Sequence, residues 1–179
     1  MSVFQIPVIE TERLILRPLS VDDAEDVFKW TGDPRVAEFM IYSTHESVEV
    51  SKEWLRSLDT LENEYSWGFV RKSDGMLIGS GSIRLRPDED CWSFGYNIRR
   101  DCWNNGYTTE AAQRMIRFVR ETHGADRFVS EHAVDNPASG RVMEKCGLHF
   151  TGDYGQCTSF DGKKTFKTKI YELNGGDNA

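Results

Sequence analysis

The chain has 179 residues, of which 39% are hydrophobic, and its formal net charge is −7 at pH 7. This apolar content is enough for a substantial core, and no Pro/Ser-rich linker or charge block divides the sequence. We therefore predict one domain over residues 1–179, with a folded core of about residues 12–173. The negative charge disfavours binding to nucleic acid or to an anionic membrane, whereas a basic amine or peptide would suit the protein as a partner.

Three further features of the sequence bear on location and metal binding. No run approaches the roughly 18 consecutive apolar residues of a membrane span. Residues 1–10 lack the basic-then-apolar order of a secretion signal, so we predict a cytoplasmic protein. The four cysteines form no C-x-x-C pair and no zinc-like spacing, which predicts reduced packing residues and no metal site. A nucleophilic role for Cys102 is disfavoured because no activating base is identifiable.

Seven segments have the apolar, β-branched and aromatic composition of strands. Asp74-Gly75 predicts the hairpin turn between the second and third strands, and Asp161-Gly162 predicts the turn between the last two. A long helical run separates the fourth strand from the fifth, so the crossover can place these two strands side by side and parallel. The predicted strands are residues 13–17, 65–71, 76–86, 91–98, 127–133, about 148–160 and 165–173.

Two helices are expected between the first and second strands. Ser20 and Asp23 resemble a capping box that opens the first helix, which a Gly-Asp-Pro sequence ends. The second helix is expected to begin near Ser43, with Glu46 at the capping-box position. Residues 36–42, between these helices, are apolar without a clear period. They predict either core packing or a wall of a substrate pocket.

Two more helices are expected in the second half of the chain. Apolar residues recur at helical spacing from Ala111 to Val119, and Gly124 is positioned as a C-terminal cap. The next helix follows Asn136, with proline at its first position, and ends at Gly147. Together these elements predict an α/β (α+β) domain. Its seven-stranded sheet is mixed but mostly antiparallel, with about four helices.

The loop at residues 103–111 joins the fourth strand to the third helix. The first turn of a helix leaves backbone N–H groups without intrahelical partners at the positive end of its dipole, which is a site for an anion such as phosphate. Gly106 has no Cβ, so an anion could approach the backbone closely. Thr108 or Thr109 could cap the helix or add a hydroxyl donor. The alternative interpretation is an ordinary strand-to-helix turn with a capping threonine.

The order of elements and four motifs together resemble the GNAT superfamily of N-acetyltransferases. The resemblance extends over nearly the whole chain, from Arg13 to Leu173. The motifs look most like the branch that contains the ribosomal-protein alanine and serine N-terminal acetyltransferases. They are Glu12-Arg13-Leu14-x-Leu16-Arg17, Gly95-Tyr96, Trp103-x-x-Gly106-Tyr107-Thr108-x-Glu110-Ala111, and Asn136-Pro137-Ala138-Ser139-x-x-Val142-x-Glu144-Lys145-x-Gly147.

This resemblance implies direct transfer of an acetyl group from acetyl-CoA to a primary amine, with no metal. It also implies that the fourth and fifth strands splay apart and that the pantetheine arm lies in the V between them. The diphosphate would rest on amides of the loop, and the Ser139 hydroxyl would donate to the departing thiolate. The residues that the resemblance assigns to coenzyme binding are Asn97, Ile98, Arg99, Asn104, Asn105, Gly106, Tyr107, Thr108, Thr109, Asn136 and Ser139.

The sequence departs from the pattern of this family in its loop and at the general base. Asn104 stands where relatives usually have glycine, and Thr108 where they have a small residue. Many relatives carry a glutamate two residues before the Gly-Tyr pair, and here that position is Ser93. The candidates for accepting the proton are Glu131 and His132, on opposite faces of the fifth strand, and Asp135 just after it, with solvent as the alternative. Glu110 is expected to face away from the diphosphate, because its charge would repel it.

The expected acceptor is the N-terminus of a protein or peptide. The alternatives are a small-molecule amine, such as an antibiotic, a polyamine or an amino-acid derivative, and a non-catalytic module that only binds coenzyme A. The expected partners are thus acetyl-CoA and an amine, in a monomer or a homodimer.

Overall fold

One mixed sheet organises the chain in the computed structural model, which describes residues 4–175. Within these residues the chain forms eight strands and five α-helices. The strands are β1 (Ile9–Glu10), β2 (Leu14–Arg17), β3 (Glu64–Arg71), β4 (Met76–Arg86), β5 (Cys91–Ile98), β6 (Phe128–Ala133), β7 (His149–Thr158) and β8 (Thr165–Leu173). The helices are α1 (Ala24–Thr31), α2 (Pro34–Ala37), α3 (Val48–Leu58), α4 (Tyr107–His123) and α5 (Pro137–Lys145).

The strands lie in the order β1-β2-β3-β4-β5-β6-β8-β7. Neighbouring strands are antiparallel except β5 and β6, which are parallel. The predicted mixed fold and its one parallel pair are therefore confirmed. The predicted strand number is one too small, because β1 was not expected. This strand has only two residues, with Ile9 opposite Leu16, and is too short to have an alternating pattern.

The region between α1 and β3 differs from the prediction in two ways. The Gly-Asp-Pro sequence that ends α1 also begins the short helix α2, where the Asp33 side chain accepts a hydrogen bond from the Arg35 N–H. Helix α3 begins at Val48 rather than near Ser43. The Ser43 hydroxyl instead donates to the Asp161 carboxylate in the β7–β8 turn, so it does not cap a helix.

The helices cover the two faces of the sheet. Helices α4 and α5 pack on one face through residues such as Met115 and Met143. These residues belong to the larger of two hydrophobic clusters, which contains most of the core. Helices α1 and α3 form a second cluster around Trp30 and Leu55, which reaches the sheet at Leu77. The face that carries α4 and α5 is called the helix-α4 face below, and the other is called the helix-α1 face.

Residues 4–175 contain neither a helix suited to span a membrane nor a group of metal-binding side chains. No helix in this part of the chain is both long and apolar enough to cross a membrane. No group of three or more His, Cys, Asp or Glu side chains in the same part is arranged to hold a metal ion.

Candidate active site

The parallel strands β5 and β6 separate progressively towards their carboxyl ends. Among the described residues their backbone ladder has a single register pair, Trp92 with Phe128. Two residues further along β5, the Phe94 carbonyl accepts a hydrogen bond from a side chain, the Ser130 hydroxyl, at 2.7 Å. The first link thus joins two backbones, and the second needs a side chain to reach the other strand, which indicates that the strands open into a V.

The edge of β5 that faces this V carries backbone groups of Ile98. The Arg99 N–H donates to the Ile78 carbonyl of β4 at 2.8 Å. Backbone groups alternate along a strand, so the Ile98 N–H points away from β4 and towards the V. The Ile98 carbonyl points the same way and accepts from the Trp103 indole N–H at 3.1 Å. The Asn97 side chain is engaged elsewhere, because it accepts from the Ser80 hydroxyl at 2.9 Å.

The loop after β5 contains two residues in the left-handed region. Asn104 has a φ of 60° and Gly106 has a φ of 78°. Asparagine is one of the few residues with a side chain that adopts this conformation at little cost. The Asn105 amide nitrogen fastens the loop by donating to the Cys102 and Trp103 carbonyls at 3.2 and 2.8 Å. Asn104 is therefore compatible with a left-handed position, for which the family resemblance predicted glycine.

Helix α4 begins with uncapped backbone N–H groups. Its N-cap is Gly106, and no side chain among residues 4–175 caps this end. The first intrahelical bond runs from the Glu110 N–H to the Gly106 carbonyl at 3.1 Å. The N–H groups of Tyr107, Thr108 and Thr109 therefore have no partner within the helix. Neither threonine caps the helix, because both lie inside its first turn. The expectation of a capping threonine is therefore wrong.

The Glu110 side chain is held away from these N–H groups, as predicted. Its carboxylate accepts hydrogen bonds from the Thr11 hydroxyl, the Arg13 N–H at 2.8 Å and the Arg13 Nε at 2.6 Å. Burial opposes ionisation of this carboxyl, but the bonds from Thr11 and Arg13 outweigh burial and lower its pKa below the usual glutamate value. The Arg13 Nη1 also donates to the Asn105 carbonyl at 2.9 Å, which ties the loop to the start of β2.

On the other side of the V, Asn136 and Ser139 lie at the start of α5. The Asn136 side-chain oxygen accepts from the Ser139 N–H at 3.4 Å, so Asn136 caps this helix and its amide nitrogen remains a donor. The Ser139 hydroxyl lies 2.9 Å from the Tyr96 hydroxyl of β5. The Tyr96 hydroxyl also donates to the Ser139 carbonyl at 3.0 Å. Sequence reasoning identified Gly95-Tyr96 only as a motif and did not predict this contact.

Two of the candidates for the general base, Glu131 and His132, occupy different environments. The His132 ring lies on the helix-α4 face, where its Nδ1 donates to the Ala133 carbonyl at 2.7 Å. Its Nε2 is buried against Gly140, and no residue of the described chain hydrogen-bonds to it. Glu131 is exposed on the helix-α1 face, where the Thr168 hydroxyl donates to its carboxylate at 2.5 Å. By alternation Ser93 lies on this same face.

Residues 36–42 pack against the core and the sheet, which is one of the two roles that the sequence left open. Val36 and Ala37 are buried in the core. Farther along, the Phe39 ring packs edge-on against Phe166 of β8, with centroids 6.0 Å apart. The Lys164 ammonium group donates to the Ala37 and Tyr42 carbonyls, at 2.8 and 3.0 Å. This segment, residues 37–43, is called the strap. It joins the helical half of the molecule to the β7–β8 hairpin beside Glu131.

Cys102 and Cys146 have the environment of packing residues. Cys102 is 3% exposed, and burial together with the nearby Asp101 carboxylate raises the pKa of its thiol. Cys146 is 6% exposed, and burial raises its pKa to about 12. A thiol that retains its proton is a poor nucleophile, so the structure favours the packing role that the sequence predicted.

Comparison with known proteins places this arrangement in a family. Residues 13–149 match the family model described as the acetyltransferase (GNAT) domain. The uncharacterised N-acetyltransferase YoaA of Bacillus subtilis (strain 168) is 28% identical over 171 residues, which cover 93% of this chain and 96% of that protein.

Two solved structures show the same fold. The microcin C7 self-immunity acetyltransferase MccE, in complex with acetyl-CoA and AMP, has a TM-score of 0.78 and 17% identity over 92% of this chain and 93% of that chain. A candidate ribosomal-protein-serine acetyltransferase from Vibrio cholerae has a TM-score of 0.79 and 19% identity over 93% of this chain and 97% of that chain. With a family model that matches most of its length, the chain belongs to the GNAT family and is an acetyl-CoA-dependent N-acetyltransferase.

Proposed function

We propose that this enzyme acetylates the N-terminal amine of a protein or peptide. The observation that carries the proposal is the position of Glu131, an exposed carboxylate on the helix-α1 face beside the open end of the V. A carboxylate there attracts a cationic amine and can accept its proton. The resemblance of the motifs to the N-terminal acetyltransferase branch supports a peptide as acceptor, as does the likeness in fold to the Vibrio cholerae protein.

The residues around the V fit acetyl-CoA, which supplies the acetyl group as a thioester. The N–H groups of Tyr107, Thr108 and Thr109 form the anion site for the diphosphate, with Gly106 leaving room for it. The Ile98 N–H and the Asn136 amide are placed on the two sides of the V to bond the pantetheine amides.

Four other residues that were predicted to bind the coenzyme support the walls of the V and donate no hydrogen bond towards its interior. The Asn97 side chain and the Arg99 N–H bond to β4. Asn104 and Asn105 fix the path of the loop through a left-handed backbone and through the two bonds that Asn105 donates. We propose that these four residues act by shaping the coenzyme site.

Three residues would carry the chemistry. The Ile98 N–H is positioned to polarise the thioester carbonyl. The Ser139 hydroxyl is positioned to donate to the departing sulfur. Glu131 accepts the proton of the amine, directly or through water, in place of the glutamate that relatives carry at the position of Ser93. His132 is less suited to this role, because its Nε2 faces the backbone of Gly140 rather than the acceptor side.

The first experiment measures release of free thiol from acetyl-CoA. The purified protein is incubated with a panel of N-terminal peptides, polyamines, amino acids and aminoglycosides. A kcat/KM for one or more peptides well above that for every small amine is expected. A clear preference for a small amine would refute the peptide acceptor, while absence of thiol release with demonstrated acetyl-CoA binding would favour a non-catalytic role.

The second experiment tests the base. Glu131→Gln keeps the size of the side chain but removes its negative charge, and kcat should fall about 100-fold, within the usual range for loss of a general base. Asp88→Asn is the matched control, because Asp88 is an exposed carboxylate in the β4–β5 turn, at the closed end of the V. Equal rates for the two variants would rule out Glu131 as the base. Cytoplasmic location and the oligomeric state, monomer or homodimer, remain predictions.

A further inference from the structure

The geometry points to Tyr96 as the residue that positions the Ser139 hydroxyl for its role at the departing sulfur. This inference rests on the proposed function of Ser139. The Tyr96 hydroxyl lies 2.9 Å from Ser139 Oγ and 3.0 Å from the Ser139 carbonyl oxygen. Tyr96 thus contacts both the side chain and the backbone of the residue that it would orient.

The direction of the hydrogen bonds determines what Ser139 can do. Burial raises the pKa of the Tyr96 phenol, so it keeps its proton at neutral pH and acts as a donor. The phenol has one hydrogen, and the Ser139 carbonyl also accepts it, so Ser139 Oγ can receive it only as a shared hydrogen bond. In that arrangement the serine keeps its own hydrogen for a second partner, because a hydroxyl can accept and donate at once. That second hydrogen bond is then available to the sulfur. No proton leaves Tyr96 in this step.

The position of Tyr96 in the sheet explains why it reaches α5. Trp92, Phe94 and Tyr96 alternate onto the helix-α4 face of β5, and each makes one link across the widening V. The first link joins two backbones, the second joins a backbone to a side chain, and the third joins two side chains. Tyr96 is therefore the last bridge before the V opens, and a residue without a long side chain could not span the gap there.

Residues around the Tyr96 ring indicate that its packing survives loss of the hydroxyl. The ring lies 6.3 Å from the Phe94 ring and belongs to the periphery of the main core. Tyr96→Phe retains this ring and removes only the oxygen that contacts Ser139. Tyr65→Phe is the matched control: Tyr65 is also a strand tyrosine in the core, and its hydroxyl bonds to His123 Nε2 at 2.9 Å, away from the V.

The test is a double-mutant cycle on kcat with Tyr96→Phe, Ser139→Ala and the double variant. Loss of one neutral hydrogen bond should lower kcat about 3- to 10-fold in Tyr96→Phe, with the KM for acetyl-CoA unchanged. Because Tyr96 acts through Ser139, adding Ser139→Ala to Tyr96→Phe should slow the enzyme much less than Ser139→Ala slows the wild type. Tyr65→Phe should have the wild-type kcat.

Three kinetic results would each overturn the inference: a wild-type rate for Tyr96→Phe, additive effects on kcat in the double variant, or an equal loss of kcat in Tyr65→Phe. A parallel cycle on urea unfolding of the coenzyme-free variants should show that the two hydroxyls are coupled. Additive unfolding effects would also overturn it, whether or not the wild type is active. Absence of thiol release by the wild type would instead refute the proposed function, so the two failures are distinguishable.

Discussion

Substitution of Gly106 by alanine separates the cost of backbone strain from the loss of an anion site. Gly106 has a φ of 78°, and a left-handed backbone costs a residue with a side chain about 1–2 kcal/mol. A new Cβ would lie 3.5 Å from Arg13 Nη2, which is an ordinary contact, so the protein itself has room for it. The expected fall in Tm is therefore modest, about 2–8 °C for a chain of this length.

Coenzyme binding should respond much more strongly. The methyl group would stand where the diphosphate approaches the N–H groups of the first turn of α4. Loss of one hydrogen bond to a charged group costs about 1.5–3 kcal/mol, which corresponds to a roughly 10- to 100-fold higher Kd for acetyl-CoA. Isothermal titration calorimetry of the purified variant measures this change directly.

Gly124 provides the control for this experiment. It is the C-cap of the same helix, has a φ of 64°, and a Cβ there would meet no atom within 4 Å. Gly124→Ala should therefore show a comparable fall in Tm with an unchanged Kd. If Gly106→Ala binds acetyl-CoA as tightly as Gly124→Ala, the anion site at the start of α4 is refuted.

Two other predictions concern the contacts that hold the site together. The pKa of Glu110 is lowered in the folded state, so its contribution to stability is full above about pH 4.3 and disappears as the pH falls through the lower folded-state value. Glu110→Gln should lower the free energy of unfolding by about 1–3 kcal/mol at pH 7, and urea titrations should show the difference shrinking in acid; a constant difference would contradict this. Lys164→Met removes the two hydrogen bonds to the strap, so amide hydrogen exchange at residues 38–43 should accelerate while the Kd for acetyl-CoA stays constant. Unchanged exchange there would show that Phe39 and Asp161 are enough to hold the strap.

The elements that the sequence predicted well have a strong local signal. Residues 76–86 and 91–98 are strands within the predicted bounds, because alternation and an Asp-Gly turn both operate over a few residues. The start of α4 was predictable for the same reason, because Gly106 stands just before the residues whose apolar spacing indicates a helix.

The signals that failed were overridden by distant contacts. Ser43 and Glu46 have the spacing of a capping box, but the Ser43 hydroxyl bonds to Asp161, 118 residues later. No local pattern contains that partner. The Tyr96 contact was missed for the same reason, because Ser139 lies 43 residues farther along the chain. Local propensity thus located the loop and the start of α4, whereas the side chains that meet across the V depend on tertiary packing.

The pairing of Arg13 with Glu110 has a consequence for how an anion reaches the site. Arg13 sits beside Gly106, yet its charge is offset by the carboxylate that it holds, so the proposed anion site at the start of α4 would attract anions mainly through backbone dipoles. Such attraction acts over a short range, whereas a net charge of −7 repels a polyanion at longer range. Added salt should screen that repulsion, so acetyl-CoA should associate faster as the ionic strength rises.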